Sequence, residues 1–147
     1  MTRSLIPALA LFVGACGPSM WKTATVATPK TVPQAWSCAD SAGKALGYTP
    51  FQSKPTEGFL RTRKNLKPGP GEIFDHIPYD LLVIQVKEGG SGATITLEAQ
   101  SWMEQISRDS RTQVEKPSRP AVIADGQALL DACGAPHPSP DRVPNAN

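Results

Sequence analysis

Histidine is nearly missing from this chain. It has two in 147 residues, and His137 sits among prolines near the carboxyl end. That scarcity leaves little material for a His-based acid–base pair or a zinc cluster. Long apolar runs are missing too. The run from Leu5 to Ala15 is 11 residues, about 16 Å as a helix and roughly half of a ~30 Å hydrocarbon layer. Neither charge dominates, with 15 Lys and Arg against 13 Asp and Glu. Bulk charge therefore gives no argument for nucleic acid, and none is expected as a partner. No serine stands in a G-x-S-x-G elbow, and Gly89-Gly90-Ser91-Gly92 lacks the lysine and helix that a phosphate loop needs. These absences favour a non-catalytic domain without a cofactor.

What is present begins at the amino terminus. Arg3 supplies a positive charge, Leu5 to Val13 an apolar core, and Gly14-Ala15 the small residues before a cleavage point. Residues 1–15 are thus a processing signal rather than a membrane span. The sequence Val13-Gly14-Ala15-Cys16 resembles the lipobox of bacterial lipoproteins. The resemblance implies that Cys16 is acylated on its sulfur, becomes the first residue after cleavage, and is then acylated on its amine. Each buried CH₂ contributes roughly 0.8 kcal/mol, so two or more chains hold stably where one does not. By the same resemblance Gly17, where Asp would favour inner-membrane retention, directs the protein to the outer membrane, on its periplasmic or surface-exposed side.

Three cysteines are an awkward number for an exported protein. Acylation of Cys16 leaves Cys38 and Cys133, which an oxidising compartment lets bond. The loop they close is long, and the chain-entropy account assigns about 4–5 kcal/mol to such a bridge.

Residues 16–33 are rich in Thr, Pro, Lys and Ala with no apolar periodicity, and read as a flexible tether. Trp21 within it is either an interfacial aromatic or an ordinary linker residue. Residues 135–147 hold Pro136, Pro138, Pro140 and Pro144 and read as a disordered tail. The span between, residues 34–134, is the size of one small domain.

That domain opens with a helix near Pro33, with Ala35, Cys38, Ala39, Ala42, Ala45 and Leu46 on one face and Gly47 as its stop. Tyr48 to Ser53 and Gly58 to Lys64 read as strands, followed by a long loop through Pro68-Gly69-Pro70-Gly71 to Pro78. Asp80 to Glu88 and Ala93 to Met103 alternate apolar with polar and form a hairpin about the glycine-rich turn. Its polar face, carrying Thr96, Glu98, Gln100 and Trp102, is a candidate partner surface. Glu104 to Pro117 reads as a loop or irregular edge. Ser118 caps a second helix that ends at Gly134, with Gly126 inside it costing up to ~1 kcal/mol relative to Ala.

The expected fold is α+β: a four-stranded antiparallel sheet with two helices on one face, in the order α-β-β-β-β-α, linked by the disulfide. On Gly58-Phe59-Leu60-Arg61 after an early helix and strand, the domain is loosely similar to the helix-grip domains of barrel-assembly lipoproteins. No functional residue follows from that similarity.

Two clusters carry candidate chemistry. Arg61, Arg63, Lys64 and Lys67 place four cations in seven residues, suited to an anionic envelope polymer or headgroup, or simply to a solvated strand edge. Asp75, His76 and Asp80 are the alternative, a small hydrolase or metal site, although their spacing across Pro78 fixes no ligand geometry. The favoured expectation is a membrane-anchored binding or assembly-accessory domain, partnered by the bilayer and by an envelope protein or anionic polymer.

Overall fold

The computed structural model describes residues 21–68 and 75–134. The expectations for the signal peptide, Cys16, most of the Pro/Gly loop and the tail lie outside those residues. Among the described residues are six strands and two α-helices, β1 (Trp21–Thr28), α1 (Val32–Ala45), β2 (Thr49–Lys54), β3 (Phe59–Asn65), β4 (His76–Gly89), β5 (Gly92–Ile106), β6 (Arg111–Lys116) and α2 (Pro120–Cys133), with a short 3-10 helix at Pro55–Glu57 between β2 and β3. The class is α+β as expected, but the antiparallel sheet has six strands rather than four.

The frame is the β4–β5 hairpin. Gly90, at φ 56°, makes the turn in a conformation that favours glycine. Cross-strand pairs Leu82–Ala99, Ile84–Leu97 and Val86–Ile95 put one apolar row on a single face. A slip of one residue would turn that row to water, so burial fixes the register. β3 continues the row with Leu60 beside Ile84 and Thr62 beside Leu82. Gly58 leads into β3 at φ 65°, where a Cβ would stand 2.1 Å from the Val86 carbonyl oxygen.

Two strands depart from expectation. Trp21–Thr28, assigned to the tether, is β1 and pairs with residues 93–100 of β5, burying Val26 and Thr28. Its inward side chains are small, so its alternation has little contrast. Arg111–Lys116, assigned to a loop, is β6 and pairs with residues 101–106 of β5. A strand buried on neither face carries no apolar signature. β4 and β5 also extend further than the sequence suggests, starting at His76 rather than Asp80 and ending at Ile106 rather than Met103, where they pair with each other and β5 pairs with β6.

Both helices cover the apolar face. α1 starts with a capping box: the Thr31 hydroxyl accepts from Gln34 N–H at 3.4 Å, and the Gln34 side chain accepts from Thr31 N–H at 3.0 Å. Its buried stripe is Ala35, Ala39 and Gly43, side chains small enough for close packing on the sheet. α2 buries Val122, Gly126, Leu129, Leu130 and Cys133. Gly126 has a packing reason: a Cβ there would lie 2.8 Å from Leu97 Cδ2. Ser118 does not cap α2. Its hydroxyl donates to the Ala99 carbonyl at 2.7 Å, and the N-cap is Arg119, whose own side chain makes no capping bond.

The cap comes from the sheet instead. Ser101 Oγ accepts from Arg119 N–H at 3.0 Å and donates to Asp80 Oδ1 at 2.9 Å. Arg119 returns its Nε and Nη2 to the two Asp80 oxygens. Asp80 is only 1% exposed, and a buried carboxylate must be paired and hydrogen-bonded to be tolerated. The start of α2 is thereby fastened to the middle of the hairpin.

At the other end Cys38 of α1 is bonded to Cys133 of α2, with Cα atoms 5.7 Å apart. Gly43 lies near Leu129, and Tyr48, just past α1, meets Asp125, so the helices run antiparallel. Alkylation of native, unreduced protein is expected to label neither Cys38 nor Cys133 in a mass spectrum. With the cysteines 95 positions apart in the sequence, reduction should lower the unfolding free energy by up to about 4–5 kcal/mol, measured by denaturant melts. Labelling of both thiols in the native protein would contradict the bridge.

Candidate functional site

The face of the sheet away from the helices is not uniformly polar. Odd-numbered residues of β3 and β4 and even-numbered residues of β5 share it, and these include Arg61, Arg63, Tyr79, Leu81, Trp102 and Glu104. Tyr79 and Leu81 are buried although no helix lies over them. Their cover is side chains from neighbouring strands. The Arg63 guanidinium lies 3.8 Å from the Tyr79 ring centroid, and the Trp102 ring stacks nearly parallel to Tyr79 at 6.5 Å. Trp102 donates to Gln100 at 3.1 Å, and Gln100 donates to Glu98 at 3.3 Å.

Arg63 is held in place on several sides. It donates Nη2 to Glu104 at 2.9 Å and Nε to Asn65 at 2.6 Å, besides resting on Tyr79. Glu104 is 7% exposed and also faces Arg111 at 3.7 Å. One strand-pair further out, the Arg61 guanidinium lies 5.2 Å from the ring of Phe51. Phe51 is 54% exposed, the outlier among the large apolar side chains described. Arg61 Nε is buried without a hydrogen-bond partner, and Arg61 makes no ion pair among the described residues. Beside Arg61, which does not itself line it, opens a cleft of about 580 Å³, lined by Thr49, Phe51, Arg63, Asn65, Glu104 and Arg111 among others.

The basic run is therefore divided by the pleat of β3. Arg61 and Arg63 share the open face. Lys64 points the other way, donating to Asp125 at 3.0 Å and lying 5.2 Å from the Tyr48 ring. Lys67 follows the end of β3 and is exposed. Phe51, Arg111 and Glu104, which sequence reasoning did not select, complete the cluster. Strand alternation marks which side chains share a face only once the pairing register is known, and β6 was not recognised as a strand.

Asp75, His76 and Asp80 are not a loop. His76 and Asp80 belong to β4 and lie about 13 Å apart along an extended strand. Asp80 is already occupied by Arg119 and Ser101. Among the described residues no group of three His, Cys, Asp or Glu side chains is placed to hold a metal. No helix among them is long and apolar enough to cross a membrane.

No family model matches the chain, and no curated protein does. Among solved structures it is similar to the protein XoxI from Bacillus cereus, at 17% identity over 77% of this chain and 94% of that one, with a TM-score of 0.32.

Both tyrosines sit where ionisation is disfavoured. Burial raises Tyr48 above a tyrosine's ordinary value, and its bond to the Asp125 carboxylate at 3.0 Å adds to the shift. Burial also raises Tyr79, with Arg63 opposing. A raised native value means that above about pH 10 the unfolded chain releases protons that the folded chain keeps. Stability is then fully present below pH 10 and falls as pH rises through the native values. Tyrosinate absorbance near 295 nm is expected to appear together with unfolding. A normal titration near pH 10 with the fold intact would contradict the burial of both phenols.

Proposed function

We propose that this protein is a non-catalytic envelope lipoprotein, anchored through Cys16, whose open sheet face binds an anionic envelope polymer. Two features support the anchor. One is the short apolar core Leu5 to Val13 behind Arg3, and the other is Val13-Gly14-Ala15-Cys16; β1 begins five residues after that cysteine. Five residues reach at most about 18 Å, so the domain would stand close to the bilayer rather than on a long stalk. Gly17 favours the outer membrane.

The observation that carries the binding role is the cluster around the cleft. Arg63 and Arg111 share the Glu104 carboxylate, and Arg61, on the same face, makes no ion pair among the described residues. The Arg61 and Arg63 guanidiniums lie over the Phe51 and Tyr79 rings, contacts that restrict them before a ligand arrives. Groups ordered before the ligand arrives lose less entropy on binding, and the planar fork suits carboxylate, phosphate or sulfate.

The test has two arms. In cells given an alkyne palmitate analogue, the full-length protein should take up label and Cys16→Ser should not. Purified full-length protein should bind dextran sulfate but not neutral dextran, more weakly as salt rises. Arg61→Gln with Arg111→Gln should weaken that binding about tenfold or more, taking one to two charge-assisted hydrogen bonds as the loss. Lys44→Gln, on α1, should leave it unchanged. Equal labelling of Cys16→Ser would refute the anchor, and equal binding by the double variant would refute the site.

A further inference from the structure

The outer edges of the sheet are guarded unequally. β2 carries Pro50 and Lys54, and its register is broken between Pro50 and Gln52. β6 is six residues long and carries Arg111, Glu115 and Lys116. Proline, irregular register, short length and charge are the devices that keep an edge from pairing with another chain. β1 has almost none of them. Its eight residues, Trp-Lys-Thr-Ala-Thr-Val-Ala-Thr, contain no proline, run in unbroken register with β5, and hold one charge, at Lys22. Among the described residues β1 pairs with β5 alone, so one row of its backbone N–H and C=O groups faces away from the sheet. Thr23, Thr25 and Ala27 are exposed on the open face beside that row.

We propose that β1 is a self-pairing edge whose occupant is β1 of a second copy, antiparallel about a two-fold axis normal to the sheet. The chain's own carboxyl end is a poor candidate for the ladder. Its 13 residues from Ala135 hold four prolines, and proline cannot donate to a strand pair. A second copy meets no such obstacle. Opposed residues in an antiparallel pair share a face, so the exposed Thr23, Thr25 and Ala27 oppose one another across the axis. Threonine pairs are favourable there. The single charge causes no repulsion, because antiparallel pairing sends the two Lys22 positions to opposite ends of the ladder. A two-fold contact is also self-limiting: each copy spends its one unguarded edge and the assembly closes as a dimer. The helices of both copies come to lie on the same face of a continuous sheet. This inference does not rest on the anchor or on the binding cleft.

The test is crosslinking of full-length protein in intact cells. Thr25→Cys, treated with a short bismaleimide, should give a band at twice the chain mass. The unaltered sequence, which controls for Cys16, and Gln52→Cys on the opposite edge should not. In the Thr25→Cys background, Thr23→Lys with Ala27→Lys should cut the band about tenfold through opposed like charges, as should the corresponding pair of Glu substitutions. Producing the Lys and Glu versions together should restore it as a mixed dimer. Absence of the band, an equal band from Gln52→Cys, persistence in the Lys version alone, failure of the mixed pair, or coupling to a foreign chain would each overturn self-pairing.

Discussion

The β4–β5 ladder is the constraint on which the other elements depend. β4 is 14 residues long and β5 is 15, more than twice the usual strand, and their alternation permits one register. Once Leu82, Ile84, Val86, Ile95, Leu97 and Ala99 share a face, that face must be covered, and both helices lie over it. The far halves of the same strands have no helix above them. At the middle of the hairpin, where the helical cover ends, the polar layer of Asp80, Ser101 and Arg119 replaces aliphatic packing and fastens the start of α2. Exposed pairs such as Lys44–Asp40 and Lys54–Glu57 contribute ~0–1 kcal/mol each. Full burial of one Leu or Ile is worth about 1.5–3 kcal/mol. The ladder and its cover, not the surface charges, therefore decide the fold.

Covering one face leaves the other with a different task. Tyr79 and Leu81 are buried on the open side without a helix, and Arg63, Trp102 and Glu104 close over them. Side chains that shield apolar rings with charged heads give a surface both rigid and charged. The same economy explains why Arg63 and Arg61, two residues apart, differ. Arg63 is committed to Glu104 and Asn65, while Arg61 rests on the exposed ring of Phe51. The proposed anion site lies by residues 101–106 of β5, where β6 pairs, and the proposed self-pairing edge lies along β1, which pairs with residues 93–100.

How much of this was legible in the sequence depends on contrast. The hairpin is plain because Leu82, Ile84 and Val86 share one face with Gln85 and Lys87 on the other, ahead of a glycine-rich turn. The helices were plain from their spacing, and Cys38 with Cys133 appears in the structure as the bond joining them. β1 was not legible because Ala24, Val26 and Thr28 are small beside the threonines they alternate with. β6 was not because an edge strand resting on one neighbour needs no apolar face. The cap of α2 was misassigned because the serine that serves it, Ser101, is 18 residues away in the sequence and only folding brings it close. The open-face cluster draws on β2, β3, β4, β5 and β6, and no local pattern announces it.

Amide hydrogen exchange under native conditions tests the central claim, that the ladder beneath the helices is the last part to open. The slowest amides should fall in residues 82–86 and 95–99, exchanging only through global unfolding. Those of β2 and β6 should exchange earlier. If residues 82–86 and 95–99 exchange as fast as the edge strands while α1 and α2 stay protected, the hairpin is not the frame and the account is wrong.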